Sequence, residues 1–201
     1  MKKAVFVLFP LLFVLFSCAK KPEAETGRVE IPELGISIVI PDTMQSIAAE
    51  QLARLQEEAA GFPPIPPFSD YPVREFVNPA TNAVLAISQL NFTGLQTEDQ
   101  GPADIRDTYL ENLRVYYQLD SIVSQDLVKD DFQLTVMNMI YAPEGQKEIG
   151  MTKVLYYYYP RHYFLIDLFT DPQKVTAEDA ESYQNMLMSV KKLSLKVLSS
   201  K

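Results

Sequence analysis

From residue 28 onward the apolar positions alternate or recur in short blocks, and the blocks name their own elements. Val29-Glu30-Ile31 and Ile36-Ser37-Ile38-Val39-Ile40 flank Pro32-Glu33-Leu34-Gly35, the pattern of an opening hairpin that Pro41 ends. Met44, Ile47, Ala48, Leu52, Leu55 and Ala59 then recur at helical spacing, predicting a helix over 44–60 capped by Asp42 or Thr43. Phe62-Pro63-Pro64-Ile65-Pro66-Pro67-Phe68 is neither helix interior nor central strand, because proline lacks the backbone donor and fixes φ. It reads as a stiff connection, or as a docking epitope or groove wall. Residues 73–77 and 83–92 predict two strands around the turn 78–82. Pro102 opens a helix to about Leu119, with Ile105, Tyr109, Leu110, Leu113, Tyr116 and Tyr117 on its apolar face.

The second half carries the strongest strand signals. Residues 126–130 are ambiguous and compatible with a short strand. Residues 132–141, 149–159 and 163–169 are separated by the turn-like stretches 142–148 and 160–162, which predicts an antiparallel meander. In the first of these, Phe132, Leu134, Val136 and Ile140 share a side, with Asn138 interrupting them. Thr176-Ala177-Glu178-Asp179 approximates a capping box for a helix reaching about Met188, with Ala180, Tyr183, Met186 and Leu187 facing in. Residues 190–197 read as a last strand. The sum is an α+β domain with a central antiparallel sheet of about six to eight strands and helices on both faces, an α/β/α sandwich.

The first 27 residues break this pattern. Met1-Lys2-Lys3 is basic, and Ala4 to Ser17 is an uncharged run of 14 residues broken only by Pro10. A helix crossing a ~30 Å hydrocarbon core needs about 20 apolar residues, so the run suits a signal-peptide core better than a span. Leu15-Phe16-Ser17-Cys18 closes it and resembles the lipobox of bacterial lipoproteins, with Leu15 at −3 and Ser17 at −1. Phe16 is larger than the pattern prefers at −2. The resemblance implies cleavage before Cys18 and acylation of its thiol and new amino group. The expected organisation is a signal peptide over 1–17, a lipidated tether over 18–27 (polar and without apolar period) and one domain over 28–201. Ala19 after the cysteine is compatible with sorting to the outer membrane, facing the periplasm, in bacteria where Asp at that position prevents it.

Charge and cysteine use narrow the partners. The chain of 201 residues has one cysteine, so no disulfide framework supports the domain. Its net charge is −8, and loss of residues 1–17 removes Lys2 and Lys3, leaving 16 basic and 26 acidic side chains. A nucleic-acid binder needs a basic footprint, so nucleic acid is not an expected partner. The 11 Tyr and 11 Phe without a single Trp match aromatic-rich strands.

Two stretches carry a family likeness. Leu34-Gly35-Ile36-Ser37-Ile38-Val39-Ile40-Pro41 is similar to the opening aliphatic-Gly-strand-Pro segment of PsbP-like proteins. Tyr163 to Phe169, followed by a helix ending Met186-Leu187-Met188-Ser189-Val190-Lys191, is similar to their closing segment. That family includes the extrinsic subunit of photosystem II and the Ran-binding Mog-type proteins. The resemblance implies an antiparallel sheet with helices on both sides and a role in binding partners. It assigns no functional residue, and the usual aromatic after the opening strand's proline is absent here.

Candidate chemistry is sparse. His162 is the single histidine and falls in a predicted turn; there is no Gly-x-Ser-x-Gly, no phosphate-cradling glycine loop and no His-Glu-x-x-His. The acidic clusters Glu57-Glu58, Asp130-Asp131 and Glu178-Asp179-Glu181 lack calcium-loop spacing and read as solvated faces. No catalytic residue, metal or cofactor is expected. In the run Tyr156-Tyr157-Tyr158-Tyr159, strand alternation puts Tyr157 and Tyr159 on one face and Tyr156 and Tyr158 on the other. These rings are either core or, with Arg161, an aromatic recognition patch. Tyr157, Tyr159 and Arg161 are therefore the candidate partner contacts, and Cys18 the lipid attachment. The leading expectation is a lipid-anchored, non-enzymatic binding or scaffold protein of the bacterial cell envelope, with an envelope protein as partner. The alternative is a periplasmic carrier of a small apolar or aromatic ligand, with a cavity lined by Tyr109, Tyr116 and the sheet.

Overall fold

The computed structural model describes residues 27–48, 50–51, 54, 69–90, 101–119, 122–142, 148–158 and 162–193. β1 (Arg28–Ile31) and β2 (Ile36–Val39) form the expected opening hairpin around a 3-10 turn at Pro32–Leu34. Pro32 enters that turn with φ already fixed, and Gly35 leaves it at φ 63, a left-handed conformation that costs glycine nothing. The hairpin stands apart from the main sheet. With β10 (Lys191–Lys192) on the other side of β2 it makes a separate three-stranded sheet in the order β1-β2-β10.

The main sheet has seven strands, paired antiparallel throughout, in the order β3-β4-β5-β9-β8-β7-β6. Its members are β3 (Gln45–Ser46), β4 (Ser69–Asn78), β5 (Ala83–Leu90), β6 (Val123–Lys129), β7 (Phe132–Tyr141), β8 (Ile149–Tyr158) and β9 (His162–Thr170). β7, β8 and β9 are the predicted meander. β6 is a full seven-residue strand where the sequence was ambiguous, because its backbone completes a hairpin with β7 through the turn Asp130-Asp131. Asp130 makes that reversal at φ 51.

Three expectations need correction. The helix predicted over 44–60 does not begin at Met44: Gln45 and Ser46 are strand, paired with Val77 and Phe76, and the Ile47 amide donates to the Glu75 carbonyl. Met44 is buried because it serves the core under this edge, not because it lies on a helix. Glu50, Gln51 and Arg54 are helical; the rest of that stretch lies outside the described residues, as does 62–68. His162 opens β9 opposite Tyr158 instead of sitting in the turn. The closing strand is two residues long, extended by one hydrogen bond from the Leu193 amide to the Gly35 carbonyl; 194–201 are outside the described residues.

α1 (Pro102–Tyr117) starts with Pro102 and with the Gly101 amide donating to the Asp104 carboxylate. α2 (Ala177–Leu187) has the predicted capping box. The Asp179 amide donates to Thr176 Oγ1 at 3.1 Å, and the Thr176 amide returns a bond to Asp179 Oδ2 at 3.0 Å.

Two apolar cores follow from the strand period. One gathers Leu85, Ile87, Leu134, Val154, Tyr156, Phe164 and Ile166 with the hairpin's Ile31, Ile36 and Ile38 and with Tyr183, Met186 and Leu187 of α2. The other gathers the intervening residues Val84, Met137, Met139, Met151, Leu155, Leu165 and Phe169 with Ile105, Tyr109, Leu110, Leu113 and Tyr117 of α1. Asn78 and Thr81, at the β4–β5 turn, meet the Tyr183 hydroxyl, each at 3.0 Å.

Candidate functional site

Tyr157 is the one predicted contact residue within the described residues; Tyr159, Arg161 and Cys18 lie outside them. The tyrosine run is split by its period. Tyr156 is buried, stacked on Phe164 at 4.6 Å between ring centroids, and its hydroxyl donates to the Leu187 carbonyl at the end of α2. Burial pushes its phenol well above the ordinary tyrosine range. Tyr157 faces the other way and is half-buried. It sits opposite Tyr163 on β9, with ring centroids 4.8 Å apart and planes tilted by 33°.

Register extends this pair into a row across four strands: Tyr163, Tyr157, Gln133 and Val128. Gln133 is exposed and Val128 is 81% exposed. The next row inward holds Asp126 and Thr135. The Thr135 hydroxyl donates to Asp126 Oδ1 at 2.7 Å, and Arg106 in the first turns of α1 ion-pairs with Asp126. At its other end α1 brings Tyr117 against Tyr141, 5.3 Å between centroids. The helix thus touches this face at the Asp126 row and at Tyr141, and Tyr163 packs against the edge of the core that α1 covers. The Tyr163–Tyr157–Gln133–Val128 row holds two half-buried aromatic rings, an exposed amide and an exposed aliphatic side chain. Such a surface can stack with and hydrogen-bond to a partner.

Beneath α1 lies a buried polar centre that the sequence analysis did not single out. Lys153 and Asp167 are opposed on β8 and β9 and make an ion pair at 2.8 Å, with side chains 0% and 2% exposed. The charges meet as an ion pair without the alignment of a good hydrogen bond. The Lys153 ammonium also lies 5.3 Å from the centroid of the Phe169 ring. Burial raises the Asp167 carboxyl above its ordinary value, and the Lys153 charge opposes that shift. The phenols of Tyr109 and Tyr117 are pushed up first by burial and then by the negative charge of Asp167. Glu75 lies two positions along the same row, Glu75–Ala86–Asp167–Lys153, and burial raises its carboxyl too. The signal in the sequence was a single charge within each of two apolar strands, Lys153 and Asp167, which antiparallel pairing of a meander places in neighbouring positions.

Among the described residues no group of three or more His, Cys, Asp or Glu side chains could hold a metal ion, and no helix is long and apolar enough to cross a membrane.

No family model and no curated protein matches the chain. Among solved structures the chain is similar to PA94, a Pseudomonas aeruginosa protein of unknown function, at 16% identity and a TM-score of 0.45, over 81% of this chain and 93% of that one. It is also similar to the cyanobacterial PsbP protein (CyanoP) of Synechocystis, at 13% identity and a TM-score of 0.46, over 89% of this chain and 98% of that one.

Proposed function

We propose that this chain is a lipid-anchored, non-enzymatic binding or scaffold module of the bacterial cell envelope. Cys18 carries the lipid, residues 18–27 tether it, and residues 28–201 form a PsbP-like α/β/α domain with α1 and α2 on opposite faces of the main sheet. The two-sided reading is supported by the division of the cores, in which α1 groups with one set of alternate strand residues and α2 with the other. The observation that carries the binding reading is the Tyr157–Tyr163 pair, half-buried on a row that continues to an almost fully exposed Val128. Aromatic side chains that are rigid, paired and part-exposed supply contact area at low conformational cost.

The carrier alternative receives no such support. Tyr109 is buried in the α1 core and Tyr116 is exposed. The test is recovery of the lipidated protein and its Tyr157→Ala variant from native membranes, with intact mass of the captured chain. The expected result is an acylated Cys18, a stoichiometric protein partner lost from the variant, and a melting curve that shows the variant folded. A partner retained by the folded variant, or an unmodified Cys18, overturns the corresponding half of the proposal.

A further inference from the structure

β6 closes one end of the seven-stranded sheet; among the described residues it pairs with β7 alone, and five of its seven residues are exposed. Edges of this length are unusual in proteins that remain monomeric, which shorten, charge or cover them because the free N–H and C=O groups recruit another strand. Here the edge keeps two exposed valines, Val123 at 61% and Val128 at 81%. The charge of Asp126 on the same strand is engaged by Arg106 and Thr135.

The turn fixes which groups point outward. Asp130 and Asp131 alone separate Lys129 from Phe132, and a two-residue connection makes its flanking pair the hydrogen-bonded kind. Bonded and non-bonded pairs then alternate. Lys129, Leu127, Gln125 and Val123 spend their backbone groups on β7, while Ser124, Asp126 and Val128 turn theirs to the open edge.

The sequence of that edge reads nearly the same in both directions. Ile122-Val123-Ser124-Gln125-Asp126-Leu127-Val128 runs aliphatic, aliphatic, polar, Gln, polar, aliphatic, aliphatic. Two antiparallel copies centred on Gln125 put Ile122 opposite Val128, Val123 opposite Leu127, Ser124 opposite Asp126 and Gln125 opposite itself. Each pairing then occurs twice, as a two-fold axis requires. Apolar meets apolar, a hydroxyl donor meets a carboxylate, and two amides meet each other. The hydrogen-bonded pairs of this register are Ser124 with Asp126 and Ile122 with Val128, which are the outward-pointing positions Ser124, Asp126 and Val128 already identified. Centring on Asp126 would oppose two carboxylates, and centring on Ser124 would set Ile122 against Asp126.

We propose that β6 is the interface of a symmetric homodimer, in which two copies of this chain pair edge to edge about Gln125 and continue one sheet through fourteen strands. The two α1 helices then lie on the same side of the joined sheet, and the Tyr157–Tyr163 rows of both copies become parts of one surface.

The register makes the test specific. Gln125 opposes itself in a non-hydrogen-bonded pair, where Cα atoms stand about 4.5 Å apart, within the ~4.4–6.8 Å that a disulfide spans. The full-length chain in its own membranes is oxidised as Gln125→Cys, as Val123→Cys, as an equal mixture of Val123→Cys with Leu127→Cys, and unsubstituted, with Cys18 as the background cysteine. Expected is a covalent dimer from Gln125→Cys and from the mixture, and none above background from Val123→Cys alone. Val128→Lys added to Gln125→Cys should lower the cross-linked fraction about tenfold, the factor that ~1.4 kcal/mol represents. At dilutions where both chains are monomeric its melting temperature should match that of Gln125→Cys alone, since Val128 is exposed in the single chain. No cross-link from folded Gln125→Cys, or equal cross-linking from Gln125→Cys and Val123→Cys, overturns the proposal. These outcomes are independent of which protein Tyr157 contacts and of the state of Cys18.

Discussion

Lys153 and Asp167 are each a solitary charge inside an apolar strand, and each is tolerable because the other stands opposite. Breaking such a pair from one side leaves an uncompensated ion. Lys153→Met is therefore expected to cost about 3–5 kcal/mol of unfolding free energy at pH 7. Asp167, already raised by burial, takes up a proton more readily once its partner is gone, so the penalty should shrink in acid. Lys153→Met combined with Asp167→Leu should recover most of the loss, and urea titrations of the three chains at two pH values read all of this. Glu75 makes a related prediction, with burial as the cause. Its carboxyl is raised from 4.5 by burial, so the folded state holds that proton more tightly than the unfolded chain. The stabilisation is complete below pH 4.5 and is lost as pH rises through the folded value. Glu75→Gln should flatten this part of the melting-temperature profile and raise the value at neutral pH.

At the scale of elements, the capping box of α2 is the simplest prediction. Thr176→Ala removes the acceptor for the Asp179 amide and should cost about 1 kcal/mol, measured by thermal melting. Sequence periodicity read this element correctly down to its cap, and also the opening hairpin, α1 and the meander, because local pattern and tertiary environment agree there. It failed where they part. Met44 and Ile47 fit a helical spacing, yet the residues between them pair with β4, so the period was a coincidence of two burials from an edge. β6 was ambiguous because its residues are mostly exposed and, among the described residues, it pairs with the next strand alone, leaving little apolar alternation to detect. The tyrosine run was legible as to faces but not as to burial. What buries Tyr156 is the α2 end that accepts its hydroxyl, while Tyr157 points the other way and is half-buried against Tyr163. Lys153 with Asp167 needed the β8–β9 register, which spacing alone does not supply.

At the scale of the whole molecule, the buried apolar side chains of the described residues gather in two cores, and the smaller sheet belongs to the first of them. Ile31, Ile36 and Ile38 are fully buried against it, and Val190 joins them from the far end of the chain. Removing residues 190–201 deletes Val190 and β10 together. The expected loss is at least the ~2–5 kcal/mol of a large core truncation, seen as a lower urea midpoint. Leu113→Ala, at the centre of the α1 core, should cost a similar amount while leaving the first core intact. If the two cores unfold as one cooperative unit, both variants keep a single transition.

The closure of that small sheet also has a history in time. The Val39 amide donates to the Ser189 hydroxyl across 150 residues of sequence, and the Arg28 guanidinium reaches the Ser189 carbonyl across 161. A ribosome delivers the hairpin 150 residues ahead of the segment that bonds to it. Over that interval β2 has an open edge and the hairpin's Ile31, Ile36 and Ile38 are bare, and the small sheet cannot be completed until Ser189 and β10 have arrived. Contacts of such long range are slow to form. Chains in which that distant segment has not yet arrived therefore depend on whatever shields exposed strands.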